Sequence, residues 1–174
     1  MKKSYPAALP PPKTDVTYLS SALYEDGINV SNQSTRKRVI VPLHKKESDT
    51  LHRMFNVMQP ETYIRPHYHK RENKCESVIV LKGAICFITF SLEGIPLSFK
   101  RIEAGTEYFG VDLEPNVIHS FLVLEKNTII YEVKPGPYIK SSDKDFMTWA
   151  PEEGTEESLL YLENLKNEML AVNS

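Results

Sequence analysis

The stretch from His67 to Gly83 reads HYHKRENKCESVIVLKG and joins a His-x-His pair to an apolar run. Alternate side chains of a β-strand share a face, so a strand through this region places His67 and His69 side by side. Glu76 opens the apolar run, and Glu72 is a second acidic candidate. The stretch therefore predicts two imidazoles and one carboxylate close together at the start of a strand.

A third imidazole, from His119, completes a candidate set of metal ligands. The chain has 5 histidines, and three of them belong to this pattern. Neutral imidazoles and a carboxylate suit several divalent cations, among them Zn, Fe, Mn and Ni. We predict one divalent metal ion per subunit, bound by His67, His69, Glu76 and His119. The residues leave the identity of the metal open.

The same stretch resembles the first motif of the cupin superfamily, in which a His-x-His pair is followed by a Glu, six further residues and a Gly. Glu76 and Gly83 have this spacing. Six residues separate His69 from Glu76, whereas the motif has three or four. Glu76 is favoured over Glu72 because it alone stands at the motif's distance from Gly83 and begins the strand Ser77–Leu81.

The segment from Gly110 to His119 resembles the second cupin motif, a Pro-x-Gly-x-x-His turn that presents the last ligand. Here Pro115 comes one place late, and Asn116 stands where Gly is usual. Asn tolerates a positive φ better than most residues, so the turn is still expected.

Three further segments resemble the WbuC-type cupin-fold metalloproteins, a family often met in bacterial surface-polysaccharide gene clusters. They are Thr62–His69, Lys134–Tyr138 and Asp143–Gly154, and the resemblance extends from about Arg36 to Gly154. It implies a cupin fold and a metal centre. It also implies a ligand such as a sugar or sugar nucleotide.

Short apolar runs separated by turn residues predict a mainly β, cupin-type double-stranded β-helix or jelly-roll barrel. A short helix is expected before it and a longer helix after it. The nine predicted strands are Val39–Leu43, Met54–Met58, Tyr63–His69, Glu76–Leu81, Ile85–Phe90, Leu97–Ile102, Tyr108–Leu113, Ser120–Leu124 and Thr128–Val133.

The organisation expected from 174 residues is one compact domain with two appendages. Residues 1–16 are rich in Pro and Lys and predict a flexible arm. The cupin domain spans 17–154 and begins with a helix from Thr17 to Tyr24 that stops at Gly27. Residues 155–174 form a helix capped by Thr155. Its apolar stripe packs on the barrel or on a partner subunit: Leu159, Leu162, Leu165 and Met169.

Composition narrows the classes of partner. The net charge is −2, which gives no general attraction to nucleic acid or to anionic membranes. No apolar run approaches the roughly 20 residues of a membrane span, and no signal segment is visible, so a cytoplasmic location is expected. Cys75 and Cys86 are expected to be free thiols that do not bind the metal. A homodimer with two-fold symmetry is the default oligomer.

Strand alternation predicts which side chains surround the metal. Tyr63 and Arg65 are expected to share the inward face with His67, and the Arg65 guanidinium either grips a substrate carboxylate or phosphate or pairs with an acid of the protein. Arg53 is a weaker candidate for the same role. Lys134 and Tyr138 line the mouth of the site or belong to a lid or dimer contact. His44 and His52 are interpreted as ordinary polar residues.

Three functions remain open. The first is a metal-dependent enzyme that acts on a small anionic ligand, such as a sugar or sugar nucleotide of bacterial surface-polysaccharide metabolism. The second is a binding or sensing module that holds a ligand at the metal without turnover. The third is a cupin whose metal is mainly structural.

Overall fold

The chain folds into two facing antiparallel sheets, as seen in a computed structural model that describes residues 5–70, 74–139 and 144–172. The described strands are β1 (Arg38–Pro42), β2 (Leu51–Met58), β3 (His67–Tyr68), β4 (Glu76–Lys82), β5 (Ala84–Phe90), β6 (Pro96–Glu103), β7 (Gly110–Leu113), β8 (His119–Val123), β9 (Thr128–Pro135) and β10 (Asp145–Phe146). A 3-10 turn (Ser21–Leu23) and helix α1 (Glu25–Gln33) precede them, and helix α2 (Glu156–Val172) follows.

The order of the strands identifies the architecture. The first sheet has the order β1-β2-β9-β4-β7, and the second has β10-β3-β8-β5-β6. Leaving out the outermost β1 and β10, the chain crosses from one sheet to the other at every connection between the eight strands except the β5–β6 hairpin. This is the jelly-roll arrangement of cupins, built from two Greek keys. The predicted fold class is therefore confirmed. One helix precedes the strands along the chain and another follows them.

One end of the space between the sheets is filled by apolar side chains. Strand alternation sends these side chains inward from both sheets, where they form one cluster. Its buried members are Met58, Val78, Val80, Ile85, Phe87, Ile102, Leu113, Val123 and Ile130. The opposite end remains open and receives the polar residues described below.

The first helix differs from the sequence prediction of a helix from Thr17 to Tyr24. The structure has only the 3-10 turn there, and α1 runs from Glu25 through Gly27 to Gln33. Gly27 is not a stop signal. A Cβ atom at this position would lie 2.9 Å from Val57 Cγ2 and 3.2 Å from Val41 Cγ2. Glycine is required because α1 packs closely on β1 and β2.

The predicted strand Tyr63–His69 is also corrected. Only His67 and Tyr68 form a strand, β3, which pairs with β8 and with the unpredicted β10. Pro66 lacks a backbone N–H to donate to a ladder, so regular pairing begins after it. This interruption breaks the expected alternation between Tyr63 and His67.

The N-terminal segment lies along the edge strand β1. Leu9 N donates to Ile40 O at 2.8 Å, and Ile40 N donates to Ala7 O at 3.0 Å. Residues 1–4 of the predicted arm lie outside the described residues. The segment thus covers backbone groups that an edge strand would otherwise present to solvent.

Helix α2 packs on the outer side of the second sheet. Ser158 N donates to Thr155 Oγ1 at 3.2 Å, so Thr155 caps the helix as predicted. Leu162 and Leu165 are buried against the sheet, whereas Leu159 is 59% exposed and does not belong to the predicted stripe. Among the described residues, no helix is long and apolar enough to cross a membrane.

Candidate metal centre

Four buried side chains from three strands meet at the open end of the barrel. His67 lies on β3, Glu76 and His119 are the first residues of β4 and β8, and His69 follows β3 directly. His67 and His119 are partners in the β3–β8 register. One ligand atom from each of the four residues lies within 4.8 Å of the other three. The structure therefore brings the four sequence-predicted ligands together.

Backbone carbonyls orient two of the imidazoles. His67 Nδ1 lies 2.9 Å from Arg65 O, and His119 Nδ1 lies 2.8 Å from Val117 O. With Nδ1 donating, Nε2 of each ring carries a lone pair, which is the tautomer that binds metals. His67 Nε2 is buried and has no hydrogen-bond partner in the part of the chain that the structure describes. An acceptor of this kind is costly unless a cation meets it.

Two distances within the group match the coordination shell of one ion. Glu76 Oε2 lies 3.1 Å from His69 Nε2 and 3.4 Å from His119 Nε2. Two ligand atoms that are each about 2.1 Å from one ion stand roughly 3.0–3.4 Å apart at bond angles between 90° and 109°. The donor set and its spacing therefore fit a mononuclear divalent metal.

The protonation states also suit metal binding. Burial lowers the pKa of His67 well below its ordinary value, and the nearby charges of Lys144 and His119 lower it further. Burial alone would raise the pKa of Glu76, but its contacts with the rings of His119 and His69 outweigh this effect and hold the pKa well below the usual range. A neutral imidazole and an ionised carboxylate are the forms that coordinate cations.

Neither cysteine belongs to this group. Glu72, the competing acid, lies outside the described residues. Cys75 is exposed and Cys86 is buried, and both are free thiols. Burial raises the pKa of Cys86 to about 11, so its thiolate is scarce at neutral pH.

A cavity of about 520 Å³ reaches the candidate ligands from the open end of the barrel. His67, Glu76 and His119 form part of its wall. This volume lies within the range of small-molecule sites. Seven Lys and Arg residues line the cavity against four acids. The cationic residues are Arg36, Arg38, Lys45, Lys46, Arg65, Lys134 and Lys144.

The first sheet supplies a buried polar network to the cavity wall. Asn56 Nδ2 donates to Glu132 Oε2 at 2.7 Å, and Lys134 Nζ lies 3.2 Å from Glu132 Oε1. Burial raises the pKa of Glu132, the Glu76 carboxylate adds to this effect, and Lys134 opposes it. The inward positions of β2 and β9 thus carry hydrogen-bonding groups beside the metal ligands.

Arg65 lies on the opposite side of the cavity, where the protein already restrains it. Its guanidinium carbon is 5.3 Å from the centre of the Phe146 ring, and Nη2 donates to Met147 O at 3.2 Å. Nη1 is 3.9 Å from the exposed carboxylate of Glu152. Arg65 Nε is buried without a hydrogen-bond partner among the described residues. Phe146 and Met147 therefore hold the guanidinium in place.

Two predicted site residues lie elsewhere. Tyr63 is buried against α2, where its hydroxyl donates to Pro151 O at 3.0 Å, and it does not line the cavity. Arg53 is exposed on the outer face of β2, because its neighbours His52 and Met54 take the inward positions. The prediction that Tyr63 shares the cavity with His67 is therefore wrong, and so is the placement of Arg53 near the ligand.

The predicted mouth residues Lys134 and Tyr138 both line the cavity. The chain between them packs tightly on the loop before β2: Gly136 N donates to Thr50 O at 2.9 Å, and Tyr138 N donates to Glu47 O at 2.8 Å. A Cβ atom on Gly136 would lie 1.9 Å from the Asp49 carbonyl oxygen, so only glycine fits.

Sequence reasoning missed several residues of the cavity wall. Lys144 lines the cavity, and His52 lies there in a stack with His44, with ring centres 4.0 Å apart. Glu132 and Asn56 were not singled out either. The sequence did carry a usable signal in β2 and β9. Both strands are largely apolar, and the polar residues of the cavity wall share one face of each strand.

Comparisons with known proteins gave one family match and several similar solved structures. Residues 19–98, which include three of the four candidate ligands, match the family described as a domain of unknown function (DUF6016). No curated protein sequence matches the chain. Similar solved structures include a tryptophan-to-tyrosine variant of oxalate decarboxylase from Bacillus subtilis, at 18% identity and a TM-score of 0.45. The oxalate decarboxylase of this bacterium at pH 4.6 is similar at 17% identity and a TM-score of 0.46.

The strand order, not these matches, shows that the fold is a cupin-type jelly roll. The matches to the decarboxylases cover 58% of this chain but only 25% of each decarboxylase chain. At this level of similarity their substrate does not carry over to this chain, because one fold hosts many chemistries.

Proposed function

We propose that this protein is a mononuclear metal-dependent cupin that binds and transforms a small anionic ligand. The observation that carries the proposal is that Nε2 of His67 is buried without a hydrogen-bond partner among the described residues. His67 belongs to a group whose four ligand atoms lie within 4.8 Å of one another. When bound, a divalent ion supplies Lewis-acid polarisation of a carbonyl or hydroxyl group. The residues that line the cavity would bind and orient the ligand.

Access from the cavity supports a ligand-binding metal over a purely structural one. His67, Glu76 and His119 form part of the wall of a cavity of about 520 Å³, whereas structural zinc sites are closed by protein. Apolar side chains such as Phe87, Leu113 and Phe121 line the same cavity and limit the entry of water.

The charge of the cavity wall supports an anionic ligand. The chain carries a net charge of −2, yet its cavity has seven cationic and four acidic side chains. Arg38 and Arg36 share Glu153, at 2.7 Å and 2.9 Å, and Lys134 pairs with Glu132. Arg65 and Lys144 line the same cavity as His67, and cationic side chains there suit a carboxylate or phosphate bound at the metal.

The class of ligand rests on the resemblance to WbuC-type proteins. We infer a sugar or sugar nucleotide of bacterial surface-polysaccharide metabolism. The phosphates of a sugar nucleotide would meet the positive charge of the cavity, and the hydroxyl groups of either ligand are atoms that a divalent ion binds. The second candidate is a binding or sensing module. A guanidinium that Phe146 and Met147 hold in place would also suit a protein that binds a ligand without changing it.

The test compares Arg65→Met with Arg101→Met in metal-loaded protein. Arg101 is a matched control because it lies on the surface and pairs with Glu103 and Glu125. We expect Arg65→Met to weaken binding of inorganic phosphate and of glucose 1-phosphate in calorimetric titrations by at least about tenfold. Metal content and melting temperature should stay close to those of the parent.

Two results would contradict the proposal. Equal phosphate binding by both variants would show that Arg65 does not contact the ligand. Tight binding by metal-free protein would show that ligand recognition does not need the metal. Product formation from bound ligand separates the enzyme from the sensing module, since a sensor returns the ligand unchanged.

A further inference from the structure

The cavity extends beyond the candidate metal ligands, along the inward face of the first sheet. Four residues that line it are register partners in one row across β1, β2, β9 and β4: Pro42, Met54, Glu132 and Val78. Glu76 lies on the same face of β4, two residues before the end of this row, and marks its metal end. The cavity therefore crosses the sheet from the metal centre to the edge strand β1.

The N-terminal segment widens the floor of the cavity by one more strand. Ala8 forms a parallel bridge with Ile40, and both residues line the cavity. Lys45 Nζ donates to Thr14 O at 3.0 Å and also to Pro12 O, which fixes the segment further along. With strands about 4.8 Å apart, this segment lies roughly 19 Å from β4 across the sheet. A single sugar ring bound at the metal would cover only the near part of this length.

The part of the cavity far from the metal has an apolar floor with cationic borders. The floor is made by side chains of β1, β2 and the N-terminal segment: Ala8, Pro11, Ile40, Pro42 and Met54. Four of the seven cationic residues of the cavity wall border it, two at the start of β1 and two after its end: Arg36, Arg38, Lys45 and Lys46. Only two acids, Glu47 and Glu153, line this part. An apolar floor suits a flat or apolar group, and cationic borders suit phosphate.

We propose that the ligand is a nucleoside diphosphate sugar, with its sugar at the metal and its nucleoside on the apolar floor. This inference rests on the proposed function, which leaves a sugar and a sugar nucleotide open. Lys134 lies on β9, between the metal centre and the floor, so a cationic group stands where the diphosphate would pass. The order along the cavity thus matches the order of groups in such a ligand. A neutral oligosaccharide has the length but offers no charge to the cationic borders.

Calorimetric titration of the metal-loaded protein with glucose 1-phosphate, UDP-glucose and ADP-glucose tests the proposal. We expect at least one sugar nucleotide to bind about tenfold or more tightly than glucose 1-phosphate, because it also contacts the apolar floor. Ala8→Trp fills the floor with an indole ring and should remove this advantage, whereas binding of glucose 1-phosphate should stay unchanged. Ala22→Trp is the matched control, because Ala22 is also exposed but does not line the cavity.

Ile40→Ala gives a second and milder test of the same floor. The smaller side chain should weaken binding of the sugar nucleotide by about fivefold and leave glucose 1-phosphate unaffected. Circular dichroism and metal content confirm that every variant is folded and loaded. Since neither Ala8 nor Ile40 belongs to the group of candidate ligands, both variants should keep the metal.

The results that contradict this inference differ from those that contradict the proposed function. If glucose 1-phosphate binds but neither sugar nucleotide binds more tightly, the far part of the cavity does not hold a nucleoside. An advantage that survives in Ala8→Trp would lead to the same conclusion. Tighter binding of maltotriose than of either sugar nucleotide would assign the far part to an oligosaccharide. If none of these ligands binds, the proposed function fails, and this inference fails with it.

Discussion

The two ends of the barrel interior are built from the same strands with opposite chemistry. On β9, Ile130 lies in the apolar cluster, whereas Glu132 faces the cavity two residues further on. On β8, Val123 belongs to the cluster and His119 to the metal centre. Four residues of a strand, about 13 Å, separate a filled apolar end from an open polar end.

This difference separates stability from function within one small domain. The closed end buries aliphatic side chains, which supply the main driving force for folding. The open end buries imidazoles, carboxylates and lysines, which cost free energy unless they meet partners. The barrel tolerates that cost because the closed end fixes the strands, and function then depends on a few residues at their other ends.

Truncation at the closed end should give the largest change in stability. Ile130→Ala removes a fully buried side chain from the apolar cluster and is expected to lower the free energy of unfolding by about 2–5 kcal/mol. Metal stoichiometry of the folded protein should not change, since β9 carries none of the four candidate ligands. Urea denaturation with metal analysis of the native fraction checks both parts. Loss of metal from a folded Ile130→Ala protein would show that the two ends are not independent.

A smaller loss of stability is expected at Glu153, which links the segment before α2 to the first sheet. Glu153 accepts hydrogen bonds from Arg36 and Arg38, and the charge of Arg38 helps to hold the pKa of this carboxyl below its usual range against the effect of burial. Glu153→Gln should cost about 1 kcal/mol near neutral pH, discounted for partial exposure.

The pH dependence of that loss follows from the direction of the shift. A carboxyl with a lowered pKa in the fold contributes stability above its unfolded pKa of about 4.3, and this contribution disappears as the pH falls through the folded value. The difference in stability between Glu153→Gln and the parent should therefore be constant near neutral pH and should disappear in acid. A difference that persists below the folded pKa would assign the effect to packing.

The smallest change in stability is expected at the open end. His119→Gln removes a ring that contacts Phe87 but borders the cavity, so the space it leaves is open to solvent. We expect a change of about 1 kcal/mol or less in metal-free protein, together with a large loss of metal affinity. A loss of stability as large as that of Ile130→Ala would break the distinction between the two ends.

The sequence predicted the fold class and the four candidate ligands because both depend on local patterns. His67 and His69 could be predicted from their spacing alone. Glu76 and His119 could be predicted because each begins a strand that an apolar run marks in the sequence. The surroundings of the site depend on tertiary contacts that spacing does not encode. Pro66 ended the alternation that placed Tyr63 inward, and Gly27 lies within a helix because β1 and β2 approach it closely.

Metal analysis of freshly purified protein tests the central claim most directly. The parent and the double variant His67→Ala, His119→Ala are compared as folded proteins by elemental analysis after exhaustive dialysis. The account predicts one divalent ion per chain in the parent and almost none in the variant, because two of the four candidate ligands are lost. A parent without metal, or a double variant with full metal content, would contradict it.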